Sequence, residues 1–203
     1  ISCAHLVSVN LPEATTFGSG AFGVCTDLVS VSLPKATTFG DDVFLLCNNL
    51  VSISLPKATT FGNTAFQSCT DLKSISLPKA TTFGNTAFDG CNNLVSVSLP
   101  KATEFKDNAF ISCAHLVSVN LPEATTFGDD AFNFCTDLVS VSLPKATIFG
   151  DDAFDGCFRL NETGDSVFAS TITFTGADGL GENVGTSLGR TAATFGNGRI
   201  LFN

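Results

Sequence analysis

Seven prolines and eight cysteines recur at a spacing of 22 residues: Pro12, Pro34, Pro56, Pro78, Pro100, Pro122 and Pro144, and Cys3, Cys25, Cys47, Cys69, Cys91, Cys113, Cys135 and Cys157. Between them the chain returns to one phrase, as in Leu77-Pro78-Lys79-Ala80-Thr81-Thr82-Phe83-Gly84. A unit this short cannot bury its apolar side alone, so a fixed period of this length predicts a solenoid whose coils stack on one another.

Within one unit, Val31 and Leu33 alternate with Ser30 and Ser32, which predicts a strand with its serines in solvent and its branched residues inside. Pro34 lacks a ladder donor and ends that strand. Ala36 and Phe39 then carry the chain across the back of the coil, and Gly40 supplies a turn. Asp41-Asp42 is expected to open a short helical turn that brings Val43 and Phe44 inward before Cys47 closes the unit. Stacked coils place equivalent residues about 4.8 Å apart, so the predicted interior is a set of ladders of Leu, Val or Ile, Leu, Ala, Phe, Ala, Phe and Cys.

The pattern CxxLxSVxLPxATTFGxxAFxxC resembles the BspA-like, or Treponema pallidum type, leucine-rich repeat over residues 1–157, seven units in register. That resemblance implies a curved parallel β-sheet on one face and turns or short helical turns on the other. It also implies a secreted or cell-surface protein associated with adhesion and partner binding. Residues 158–203 break the period and contain no Pro or Cys, although Ser187-Leu188-Gly189-Arg190 and Ala193-Thr194-Phe195-Gly196-Asn197 echo it. This segment is expected to hold one or two degenerate repeats, forming a C-terminal cap or a contact between subunits. Residues 1–18 repeat residues 111–128 without change, so the sequence opens inside a repeat. The expectation is that an upstream segment or another chain covers that end.

A net charge of -9 argues against nucleic acid and anionic membranes as partners, because both need a basic footprint. No apolar run approaches the roughly 20 residues that span a bilayer. Zinc motifs need cysteine pairs two to four residues apart, which this spacing lacks. Neighbouring ladder cysteines fall within the range of a disulfide, while a ladder of buried thiols is the simpler expectation. His5 and His115 sit five coils apart and cannot share a site, and no triad pattern surrounds either. The pairs Asp41-Asp42, Asp129-Asp130 and Asp151-Asp152 suggest calcium, but Ser19-Gly20, Asn63-Thr64, Asn85-Thr86 and Asp107-Asn108 replace them elsewhere. Gly179-Leu180-Gly181 reads as a loop, and Asn161-Glu162-Thr163 as a possible glycosylation site at Asn161. No cofactor or metal site is predicted, and no enzyme.

The surface carries the functional expectation. Ser30, Ser32, Ser52, Ser54, Ser74, Ser76, Ser96, Ser98, Ser140 and Ser142 form the candidate binding face, edged by Val7, Val29, Val51, Val95, Val117 and Val139, with Lys73 interrupting the valines. Of each threonine pair such as Thr15-Thr16, one member is expected outside and one inside. Lys35, Lys57, Lys79, Lys101 and Lys145 read as a ladder that keeps the edge soluble. The combined reading is a non-enzymatic extracellular or cell-surface structural or adhesive protein that self-associates head-to-tail into a filament. Its candidate assembly contacts are Ile1, Leu6, Val9, Leu11, Ile172, Phe174, Ile200 and Phe202. The alternative is a monomeric module that recognises a glycan, a host protein or ice through the serine-lined face.

Overall fold

The computed structural model describes residues 3–160 and, beyond them, the backbone of four short strands. Each coil contributes two strands. They are β1 (Ser8–Asn10) and β2 (Thr16–Phe17), β3 (Ser30–Ser32) and β4 (Thr38–Phe39), β5 (Ser52–Ser54) and β6 (Thr60–Phe61), then β7 (Ser74–Ser76) and β8 (Thr82–Phe83). The next coils give β9 (Ser96–Ser98) and β10 (Glu104–Phe105), β11 (Ser118–Asn120) and β12 (Thr126–Phe127), β13 (Ser140–Leu143) and β14 (Ile148–Phe149). The later strands are β15 (Val167–Phe168), β16 (Thr173–Phe174), β17 (Thr194–Gly196) and β18 (Arg199–Leu201).

All rungs of the solenoid are parallel. The serine strands form β1-β3-β5 and β7-β9-β11-β13-β15, and the shorter strands form one continuous sheet from β2 to β16. The period sets the register: Val31 faces Ile53 and Phe39 faces Phe61. Beyond the strict repeats the register persists with an insertion, since Ser142 pairs with Val167 and Ile148 with Thr173, steps of 25 residues. β17 and β18 then pair antiparallel and leave the solenoid pattern.

The second sheet replaces part of what the sequence suggested as simple turns, and the expected helical turn after Asp41 does not form. Two residues per coil take left-handed backbone there, Asp42 at φ 57° and Leu46 at φ 57°, repeated at Thr64 and Ser68 and, with glycine, at Gly20, Gly90 and Gly156. Left-handed residues stop an α-helix from propagating. With these two residues left-handed, every second N–H reaches the following coil: Asp42 N donates to Asn63 O, Phe44 N to Ala65 O and Leu46 N to Gln67 O, each at 2.9 Å. The segment thus becomes a third inter-coil ladder, and the N–H groups between are satisfied within the turn, Leu45 N by Asp42 O at 3.3 Å and Cys47 N by Phe44 O at 3.1 Å.

Val24 holds φ 59° at 45% exposure, a costly conformation for a β-branched side chain with few contacts. Val24→Gly is expected to stabilise the fold by about 1 kcal/mol, because relief of left-handed strain exceeds the entropic cost of glycine. A rise in the urea midpoint checks it.

The interior is the predicted set of ladders. Leu28, Leu33, Ala36, Phe39, Phe44 and Cys47, with their equivalents in the central coils, are buried. The two Phe per coil form parallel stacks, with Phe61 on Phe83 at 5.3 Å and 1°, and Phe66 on Phe88 at 5.2 Å and 3°. Between stacks the rings are tilted, as for Phe61 and Phe66 at 50°, so each ring meets its own column face to face and the other column obliquely.

All eight cysteines are free thiols. Each buried thiol from Cys47 onward donates to a phenylalanine carbonyl 25 residues earlier, as Cys47 Sγ does to Phe22 O at 3.1 Å and Cys91 Sγ to Phe66 O at 3.0 Å. Burial pushes the Cys47 and Cys91 thiols up to about 12.

Candidate binding face

On β3 to β13 the serines, with Asn120 in place of the second serine on β11, stand outward on either side of a single inward Val or Ile, the direct consequence of strand alternation. Ser52, Ser54, Ser74, Ser76, Ser96 and Ser98 are exposed, and Ser30, Ser32, Ser140 and Ser142 are partly covered. Along one margin the valine column is open to solvent, from Val29 at 39% to Val7 at 57%. At the first three coils the face dips into a shallow trough of about 440 Å³ lined by Ser8, Asn10, Ser30, Ser32, Ser52 and Ser54 over Val9, Val31 and Ile53.

Hydrogen bonding separates this face from the threonine ladder. Thr59 Oγ1 donates to Thr37 O at 3.0 Å, Thr81 Oγ1 to Thr59 O at 3.2 Å and Thr125 Oγ1 to Thr103 O at 3.1 Å. The first threonine of each pair therefore ties one coil to the last. The serine hydroxyls of β3, β5, β7 and β9 make no hydrogen bond to the described residues and remain available to a ligand. Both members of each threonine pair are at least partly exposed, against the expectation that one would be inside. The strand begins only at the second member, so the inward place in the alternation falls to Phe39 and its equivalents.

The acidic positions turn out to be structural. Asp41 Oδ1 accepts from Asn63 N at 2.7 Å, Asn63 Oδ1 from Asn85 N at 2.9 Å and Asp129 Oδ1 from Asp151 N at 2.8 Å. Asn serves this role as well as Asp, which accounts for the exchange between them along the column. Among the described residues no three of His, Cys, Asp and Glu gather as a metal set. His5 Nδ1 lies 3.1 Å from Asp27 Oδ2, and His115 Nδ1 lies 2.9 Å from Asp137 Oδ2, each an exposed pair between successive coils. His115, backed by Arg159, holds the Asp137 carboxyl below its usual range.

Of the candidate assembly contacts, Val9 faces the core, Leu6 is partly covered and Leu11 is 42% exposed. Phe174 pairs with Phe149 as the next rung of the second sheet, and Ile200 pairs with Phe195 in the terminal hairpin. Ile1, Ile172, Phe202 and Asn161 lie outside the described residues.

Coil geometry and repeat pattern together define a leucine-rich repeat solenoid. The sequence matches the BspA type leucine-rich repeat region in 6 copies over residues 1–102 and 59–173, and the chain belongs to that family. A T. pallidum leucine-rich repeat protein of known crystal structure is similar at 26% identity and TM-score 0.66, over 78% of this chain and 79% of that one. A leucine-rich repeat protein from Bacteroides ovatus is similar at 26% identity and TM-score 0.65, over 90% of this chain; the match spans about half of that protein, 55%. No curated protein matches the sequence. Among the described residues no helix is long and apolar enough to cross a membrane.

Proposed function

We propose that the chain is a non-enzymatic, secreted or cell-surface adhesive module that recognises an extended glycan through its serine-lined face. The observation that carries this reading is the contrast between hydroxyls: the threonines of the back are engaged by the fold, and the serines of β3 to β9 are not. A sugar chain offers what that face lacks, hydroxyl partners for the serines and C–H surfaces for the valine margin. The ladder repeats in one direction, so an extended polymer gains contacts in proportion to its length. Titration with cello- and chito-oligosaccharides of increasing length tests it. Affinity is expected to rise with length, and the combined change Ser30→Ala, Ser32→Ala, Ser52→Ala and Ser54→Ala to weaken binding about tenfold or more without changing stability. Length-independent binding, or none, contradicts the reading.

A second reading is head-to-tail assembly. At the first coil Phe17 and Leu6 are only partly covered and Leu11 is 42% exposed, whereas the equivalent Phe39, Leu28 and Leu33 are buried. That surface accepts one further coil, whether from an adjoining part of the same polypeptide or from another molecule, and the latter gives an open filament. Negative-stain microscopy with light scattering separates the two: threads support the filament, and particles of 21.1 kDa contradict it.

A further inference from the structure

The corner between the two sheets carries one charged residue per coil, in the order Glu13, Lys35, Lys57, Lys79, Lys101, Glu123 and Lys145. Where glutamate appears it is neutralised by the next coil: Lys35 Nζ lies 2.6 Å from Glu13 Oε2, and Lys145 Nζ lies 2.6 Å from Glu123 Oε2. The nearby Glu104 is held by Lys106 at 2.5 Å. Lys57, Lys79 and Lys101 have no carboxylate partner among the described residues and stand in adjacent coils, about 4.8 Å apart along the column. Three like charges so placed repel, and the nearest carboxylate of the column, Glu123, is held by Lys145. At one end of this row a hollow of about 430 Å³ opens, lined by Thr81, Pro100, Lys101, Thr103 and Glu123.

We propose that Lys57, Lys79 and Lys101 bind a linear anionic polysaccharide, one bearing a carboxylate or sulfate on successive sugars, along the corner of the solenoid. Ammonium groups act as point charges without the bidentate geometry of arginine, so the site selects charge spacing over the shape of the acid. A sugar acid in each unit of an extended chain matches a column that advances one charge per coil. Single-stranded nucleic acid fits less well, because it needs aromatic platforms for its bases and the phenylalanines of these coils are buried. The overall charge of -9 does not forbid the site, since at physiological ionic strength charges beyond about 8 Å are largely screened. The site lies outside the serine face, and the proposal does not rest on the serine reading.

The test is binding of polygalacturonate and of heparin to the full chain, with neutral dextran and poly(U) alongside. The expected result is binding of both acidic glycans that falls about 20-fold between roughly 50 and 200 mM salt, as three released counterions on a flexible chain imply. The triple variant Lys57→Gln, Lys79→Gln and Lys101→Gln is expected to lose about tenfold or more and most of the salt dependence. The control Lys35→Gln with Lys145→Gln, which removes the paired lysines, is expected to change affinity less than about twofold. Polygalacturonate bound more tightly than heparin assigns the carboxylate as the natural acid, and the reverse assigns sulfate. Absence of binding by the wild-type chain, equal binding by the triple variant, or tighter binding of poly(U) than of either glycan overturns the proposal.

Discussion

Phe83→Ala is expected to lower the unfolding free energy by about 4 kcal/mol, the range for deleting a buried aromatic ring. The ring is buried and lies 5.3 Å from Phe61, 5.4 Å from Phe105 and 5.3 Å from Phe88, so its loss opens a void that three rings line. The position matters as much as the volume. In a one-dimensional array each coil contacts only its neighbours, and a defect in the fourth coil uncouples those on either side. Urea unfolding of the variant is expected to become broader or two-stepped, with a lower m-value for the first step. Phe17→Ala is the comparison, since Phe17 is partly covered and stacks on a single column neighbour, Phe39, at 5.5 Å. It is expected to cost about half as much and to leave the transition single. Equal losses at the two positions would show that the array does not transmit the defect.

The thiol ladder is expected to make the protein fragile in alkali. Burial raises Cys47 and Cys91 from an ordinary value near 9 to about 12, and pushes Cys69, Cys113 and Cys135 well up for the same reason. Below pH 9 both the folded and unfolded states hold these protons, and stability does not depend on them. Above it the unfolded chain releases protons that the folded chain keeps, so stability falls with rising pH by about 1.4 kcal/mol per thiol per unit. For the five named thiols the limiting slope is about 7 kcal/mol per pH unit. The melting temperature under reducing conditions is expected to be level from pH 6 to about 8.5 and to collapse above about 9.5. Cys91→Val is expected to flatten that fall by about a fifth. A melting temperature unchanged to pH 11 would contradict the ladder.

The residues that repeat in register were enough to read the coil, the direction of each serine and the composition of the interior. Val31 between Ser30 and Ser32 has only one arrangement that keeps apolar atoms out of water. The turn after Gly40 was not legible in the same way. Asp-Asp before an apolar pair is a helix-opening signal, and among the described residues the left-handed conformation that defeats the helix falls on non-glycine residues such as Asp42, Leu46 and Phe134 more often than on glycine. It is imposed by N–H groups reaching the next coil, a partner 21 residues ahead that local propensity does not register.

The site divides along the same line. Strand alternation pointed to the serine columns. That threonine hydroxyls are engaged between coils, and that Asp41 and Asn63 do the same work, depends on distances that exist only after stacking. The lysine column was visible as a row of like charges. Which three lysines lack a partner follows from where Glu13 and Glu123 reach.

The two hydroxyl columns divide the labour, the threonines holding coil to coil and the serines facing a ligand. Two sets of variants measured for both thermal stability and oligosaccharide affinity test it: Ser30→Ala, Ser32→Ala, Ser52→Ala and Ser54→Ala in one, Thr37→Val, Thr59→Val and Thr81→Val in the other. The serine set is expected to keep its melting temperature and lose binding, while the threonine set binds as before and melts lower. A serine set that melts lower, or a threonine set that loses binding at unchanged stability, would contradict it.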